Sequence, residues 1–255
     1  MIAGDADASG REPFLSIVIP AYNEERRLTS SLQRLTDYLR QQPWCWEVRV
    51  IDDGSSDATA SVAERFQEAD ARVVVQRERH AGKGAAVKAG LLAARGAFRF
   101  ICDADMSMPP RELSRFLPPL ATEFDVAIAT REGYKARRIG EPLYRHMTGR
   151  VFNRLVQAIV MRGFEDTQCG FKMFTARAVD AIFPFVTVES WAFDIQVLAL
   201  ARMRKLRIRE VPIEWHYDAE SRLSILRDGP GMLRDLFRIR RELRRAQRTP
   251  ERASG

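Results

Sequence analysis

Residues 100–110, FICDADMSMPP, run an apolar stretch straight into two aspartates, Asp103 and Asp105. Like charges one residue apart repel, and carboxylates at the mouth of a buried strand are costly unless a cation stands between them. A hard divalent ion meets that need, because it takes oxygen ligands and can share them with a diphosphate. The paired acids of a glycosidase have a different task, since one must protonate a leaving oxygen and the two usually stand well apart. Metal holding is therefore the chemistry expected of Asp103 and Asp105. Two further stretches fit the same picture. IDDGSSD offers Asp52 and Asp53 as acceptors for a base N–H or ribose hydroxyls, with Gly54 letting the backbone turn sharply. AGKGAAVKAG sets Lys83 between two glycines at a helix start, where a cation and the helix dipole attract a diphosphate. No Ser or Thr follows Lys83, which excludes a Walker-type ATP site.

These residues need elements that hold them together. LSIVIPAY, WEVRVIDD, ARVVVQ, AFRFICDAD and DVAIAT read as strands, and they alternate with helical stretches. The first helix keeps leucines at 28, 32, 35 and 39, and others are expected at 84–94 and from Pro110. Short connections and alternation predict an α/β fold, a mostly parallel, doubly wound sheet with helices on both faces. In such sheets ligands bind beyond the carboxyl ends of the strands. That rule brings Tyr22, Asn23, Glu24, Asp52, Asp53, Asp103, Asp105 and Arg131 to one sheet edge and predicts a single site.

Beyond residue 130 the pattern turns basic. Residues 1–130 hold 16 Lys+Arg against 19 Asp+Glu, net −3, whereas residues 131–255 hold 25 against 15, net +10. The second half is expected to meet something anionic. Helices are predicted over 145–161, near 192–204 and over 231–248, with a strand near 206–215; the first and last helices pair an apolar stripe with a basic face. The chain divides into a flexible tail (1–13), a nucleotide-binding half (14–130), an acceptor half of the same domain (131–228) and a basic C-terminal helix with its tail (229–255). Cys45, Cys102 and Cys169 form no CxxC pair and suggest no disulfide framework. No apolar run reaches the length of a membrane span and no signal-peptide pattern is present, so a cytoplasmic location is expected. No nucleic-acid reader motif accompanies the basic half, and nucleic acid is not expected as a partner.

In this order and at these intervals, SIVIPAYNEERRL, VIDDGSSDAT, GKGAAVKAGL and CDADMSMPP resemble glycosyltransferase family 2 with its GT-A fold. EDTQCGFKMF and WAFDIQVLALARMRKLRIREVPIEW are similar to the polyprenyl-phosphate sugar synthases, most of all their dolichyl-phosphate β-glucosyltransferase branch. The resemblance covers about residues 14–240. It implies an inverting transfer of a hexose, glucose first, from a nucleoside diphosphate sugar to a polyprenyl phosphate, aided by Mg²⁺ or Mn²⁺. UDP-glucose is the favoured donor and GDP-mannose the other one considered. By matching motif, Pro20, Tyr22 and Glu24 line the nucleotide site, Asp53 contacts the base, and Asp103 and Asp105 bind metal and diphosphate. Arg131 and Arg145 match arginines that grip the lipid phosphate, a task suited to guanidinium forks. Where mannosyl relatives carry a metal-holding glutamine this chain has Ser107, a departure that weighs against mannose and leaves the third ligand open.

A phosphate acceptor is already anionic at neutral pH, so no strong general base is required. Two carboxylates nevertheless deserve notice, Asp166 and Asp194. Asp166 would be the base if the acceptor were a small hydroxyl compound, which is the first alternative; for a phosphate acceptor it is expected to bind sugar hydroxyls or fix the TQCG turn. The second alternative is a non-catalytic, peripheral membrane binding protein on a degenerate transferase fold. His80, His146 and His216 are expected to be structural or surface residues, with His146 near enough to Arg145 to touch a phosphate. The two amphipathic basic helices predict peripheral contact with the inner face of a membrane.

Overall fold

The computed structural model describes residues 12–119, 123–218 and 225–248. Residues 1–11 and 249–255, most of the expected tail segments, lie outside the described residues. In chain order the elements are β1 (Leu15–Ala21), α1 (Glu25–Arg40), β2 (Trp46–Asp52), α2 (Thr59–Ala69), β3 (Val73–Arg77), α3 (Lys83–Ala93), β4 (Phe98–Ile101), β5 (Val126–Thr130) and β6 (Arg137–Ile139). They continue with α4 (Leu143–Ile159), β7 (Lys172–Thr175), α5 (Ala176–Ile182), α6 (Phe193–Met203), β8 (Ile208–Pro212), β9 (Glu214–His216) and α7 (Ile225–Arg248).

The main sheet has seven strands in the order β3-β2-β1-β4-β7-β5-β8, parallel except for β7, which runs antiparallel to both neighbours. This is an α/β fold of the doubly wound kind. Alternation along β1 explains the layers. Leu15, Ile17 and Ile19 face the helix layer of α1 and α2, whereas Val18 faces α3, α5 and α6. Leu28, Leu32, Leu35 and Leu39 of α1 are all fully buried, as their spacing predicts, and burial of each leucine contributes about 2 kcal/mol.

Two expectations need correction. The segment after Pro110 is a 3-10 turn, Pro110–Phe116, rather than a full helix. The single strand expected near 206–215 is two strands in different sheets: β8 extends the main sheet, and β9 pairs with β6 in a small parallel ribbon. Ile213 between them is fully buried. The apolar side of α4, read as an interfacial stripe, buries Val156 and leaves Met147, Val151 and Leu155 exposed. No helix among the described residues is long and apolar enough to cross a membrane.

Candidate active site

The parallel strands end at one edge of the sheet, and two adjoining cavities open there. The larger, about 640 Å³, is lined by Pro20, Tyr22, Glu24, Asp53, Lys83, Asp103, Asp105 and Arg131 among others. The second, about 420 Å³, is lined by Asp105, Arg131, Arg145 and Asp166. Three residues singled out for this edge or for the phosphate, Asn23, Asp52 and His146, line neither. Asp52 is buried and its Oδ1 accepts the Ser55 amide at 3.2 Å, which fixes the turn after β2; Asn23 Oδ1 accepts the Ser56 amide at 2.8 Å, and His146 Nδ1 lies 3.6 Å from Glu141.

At one end of the larger cavity the Tyr22 and His80 rings stack with centroids 4.1 Å apart. His80 Nδ1 lies 2.9 Å from Asp53 Oδ2. The Asp53 carboxylate also accepts the amides of Ala81 at 2.9 Å and Gly82 at 3.0 Å, so it shapes the turn that launches α3. Gly82 has φ +114°, and a Cβ there would sit 2.6 Å from the Glu189 carbonyl oxygen, so only glycine fits.

In the middle, Lys83 at the N-terminus of α3 meets the strand-end acids. Its Nζ is 2.6 Å from Asp103 Oδ1 and 4.8 Å from the Trp191 ring centroid. Burial would lower the Lys83 pKa, but Asp103, Asp194 and Asp105 more than offset it and hold the ammonium above its ordinary value. Burial, and then the neighbouring Asp103 charge, push the Asp105 carboxyl up. Both effects describe carboxylates short of positive charge. Asp105 Oδ1 accepts the Ser107 amide at 3.0 Å, while the buried Ser107 hydroxyl beside it makes no hydrogen bond of good geometry among the described residues. Gly170 passes so close behind that a Cβ on it would lie 1.9 Å from Asp103 Oδ2. Below, Lys172 is fully buried and pairs with Asp194 at 2.7 Å; burial raises the Asp194 pKa, and Lys172 and Lys83 limit the rise.

A divalent ion fits this set. Two hard carboxylates face one cavity, the ionised form of one disfavoured by burial and by its neighbour's charge, and the Ser107 hydroxyl stands next to them. No cluster of three or more His, Cys, Asp or Glu among the described residues could hold a metal by itself, so ligand oxygens would complete the shell.

The second cavity is built from paired charges. Arg131 grips Asp166 with two parallel bonds, Nε to Oδ2 at 2.7 Å and Nη2 to Oδ1 at 3.0 Å, and lies 5.1 Å from the Trp215 ring. Burial would raise the Asp166 pKa, but Arg131 brings it down to about 2. Such a carboxylate is a poor proton acceptor at neutral pH. Arg138 is held by Glu132 at 2.7 Å and by Glu141, and its Nε donates to the Arg131 carbonyl. Arg145 stacks 5.6 Å from Tyr217.

The family model described as glycosyl transferase family 2 matches residues 16–183. The chain belongs to glycosyltransferase family 2. The dolichyl-phosphate beta-glucosyltransferase of Drosophila melanogaster is 36% identical over 240 residues, covering 88% of this chain and 74% of that protein. The human protein of the same name is 32% identical over 241 residues, covering 89% and 74%. Among solved structures, the glucosyl-3-phosphoglycerate synthase of Mycobacterium tuberculosis in complex with Mn²⁺, UDP-glucose and phosphoglyceric acid superposes with TM-score 0.66 at 19% identity, covering 91% of this chain and 79% of that one. The likeness shows that this transferase has the GT-A fold.

The transferase site holds several residues that sequence reasoning did not assign. His80, read as structural or surface, lines the larger cavity, as do Trp191 and Gln168. Trp215 lines both cavities and Arg138 the second. A signal was present for His80, which stands three residues before Lys83. None was present for Trp215 or Arg138, which reach the site through the small β6/β9 ribbon.

Proposed function

We infer that this transferase moves glucose from UDP-glucose to a polyprenyl phosphate with inversion at the anomeric carbon, aided by Mg²⁺ or Mn²⁺. The carrying observation is the junction of an acidic cavity and an arginine-lined one across Asp105 and Arg131. A diphosphate suits the Asp103, Asp105 and Lys83 end, and an anionic acceptor suits the arginine end. The relatives named as dolichyl-phosphate glucosyltransferases support the acceptor, and the bound UDP-glucose of the solved neighbour supports the donor.

In this reading the base lies by Tyr22 and His80, with Asp53 fixing the turn beneath it, and Pro20 and Glu24 wall the nucleotide. Lys83 and the amino end of α3 bind the diphosphate. Asp103 and Asp105, with Ser107 beside them, would hold the metal, which when bound would supply positive charge against the departing UDP. The hexose falls between diphosphate and acceptor, beside Gln168, Gly170 and Trp191. Arg131 and Arg145 orient the acceptor phosphate, one of whose oxygens forms the bond to C1 as the bond from C1 to the UDP oxygen breaks. No proton has to move. Asp166 keeps Arg131 extended and in place instead of acting as base, which disfavours the small-hydroxyl alternative.

The test is transfer of radiolabel from UDP-glucose to a short polyprenyl phosphate in detergent, with metal and then with chelator. Lipid-soluble label that disappears with chelator is the expected result. Slow UDP release without labelled lipid would keep the donor and overturn the acceptor.

A further inference from the structure

Twelve large hydrophobic side chains are exposed among the described residues, and nine of them fall within residues 134–155 and 233–237. Along α4 the stripe is Leu143, Tyr144, Met147, Val151 and Leu155, at 82, 67, 59, 53 and 41% exposure. Helix α7 packs against α4 and adds Leu233 and Phe237 on its outer side, while Met232, Leu236 and Ile239 are buried on its inner side. One turn beyond Phe237, Arg240, Arg241, Arg244 and Arg245 flank a shallow groove, and none has a carboxylate partner within 4.0 Å among the described residues. Arginines elsewhere, such as Arg72, Arg131 and Arg138, do have such partners. A concentrated apolar surface is unusual on a soluble monomer. Beside unneutralised arginines it matches the two layers of an anionic bilayer interface, apolar residues below the headgroups and guanidinium groups among the phosphates.

The surface also has a position. Arg145, Thr148 and Phe152 of α4 and Met232 of α7 line the second cavity, so the cavity opens where the two helices meet. We propose that the outer faces of α4 and α7 form the docking surface for an anionic lipid bilayer, seating the second cavity at the headgroup level. This deepens the acceptor reading, on which it rests for the identity of the phosphate delivered there; the surface itself is argued from exposure and charge alone. An acceptor could then present its phosphate to Arg131 and Arg145 while its chain stays in the bilayer.

The experiment is co-sedimentation of the full chain with vesicles of phosphatidylcholine alone and of phosphatidylcholine with one-third phosphatidylglycerol, at low and high salt. Binding should require phosphatidylglycerol and weaken with salt. Each arginine removed should lower the partition about fivefold, so Arg241→Ala with Arg244→Ala should cost about 25-fold. Met147→Glu with Val151→Glu should abolish binding, while Leu92→Glu, the same kind of change at an exposed leucine on α3, should leave it intact. These sites are on the surface, and unchanged melting temperatures would show that the fold is kept. Binding that ignores lipid charge, or that Leu92→Glu reduces as much as the α4 pair, would overturn the proposal. So would a dimer in solution that Met147→Glu dissociates while vesicles go unbound, since a second copy would then be the occupant. Transfer to a detergent-dissolved acceptor is measured beside it. Vesicle binding without transfer leaves the docking surface and removes the acceptor reading, and transfer without vesicle binding does the reverse.

Discussion

The two cavities are assembled in opposite ways. In the larger cavity, proposed for the donor, the charged groups sit within a few residues of strand ends or a helix start, so backbone register puts Asp53, Asp103 and Lys83 where they are. In the second cavity, proposed for the acceptor, the arginines are placed by other side chains: Asp166 holds Arg131 from 35 residues away, and Glu132 and Glu141 hold Arg138. The donor end is thus charged and undersupplied with cations, whereas the acceptor end is charged and already matched. A change on the donor side should damage chemistry and spare stability, and a change on the acceptor side should damage both.

The sharpest test of the donor half is Asp105→Asn. Loss of a carboxylate proposed to hold the ion that offsets the leaving group's charge should lower kcat by about 10³-fold, with little change in melting temperature, because burial and the Asp103 charge already disfavour its ionised form. A loss below tenfold would detach Asp105 from the reaction. Gly170→Ala probes the same half without touching a charge. Its Cβ would meet the Asp103 carboxylate at 1.9 Å, and that carboxylate is the movable end of a side chain, so the fold tolerates the shift. Displacing a reacting group by about 1 Å costs about 10²-fold, which steady-state kinetics would show as a fall in kcat with the protein still folded.

The acceptor half should respond differently to Asp166→Asn. Removing one member of a buried, bidentate pair strands Arg131 and should cost about 3 kcal/mol, read as a lower melting temperature. Acceptor KM should rise tenfold or more, on the order of the loss of a charge-assisted bond, while donor KM stays put. The small-hydroxyl alternative predicts the reverse, a collapse of kcat with KM unchanged. Acid sharpens the contrast. The Asp166 pKa is lowered to about 2 in the folded chain, against about 3.9 when unfolded. A lowered value means that stabilisation is full above about pH 4 and is lost as pH falls through about 2. The melting-temperature gap between wild type and Asp166→Asn should therefore be constant from neutral pH to about 5 and close below that; a gap that persists to pH 2 would separate Asp166 from the pair's stability.

The same contrast explains what could be read from the sequence. The leucine spacing of α1 and the run of apolar strands are local patterns, and the rule that ligands bind beyond strand ends then collects Tyr22, Asp53, Asp103 and Arg131 at one edge. What escaped depends on pairings without a local signature. β7 lies antiparallel between β4 and β5, so a strand from the later half of the chain completes the sheet of the earlier half, and nothing in KMFT announces its neighbours. Trp215 and Arg138 meet only because β6 pairs with β9 across more than seventy residues. Asp166 was legible as an acid of interest, but its partner was not, and the partner decides whether it takes a proton or holds a guanidinium.

His80 marks the boundary between these two cases, and it carries the smallest expected effect. It belongs to a loop, not to a strand end, yet Asp53 and Tyr22 fix it from both sides, by 2.9 Å to the carboxylate and 4.1 Å between rings. An aromatic stack contributes about 0.5–1.5 kcal/mol, a factor of about two to ten in affinity. His80→Ala should raise the KM for the nucleotide sugar by that factor and leave kcat and acceptor KM unchanged, since the ring contacts Tyr22 and Asp53 rather than Asp103 or Asp105. If kcat falls as well, the Asp53 turn has loosened and carried Lys83 with it, and His80 is a support of the diphosphate end. If KM does not move, the base lies elsewhere, and the Tyr22 end of the cavity is not the nucleotide's.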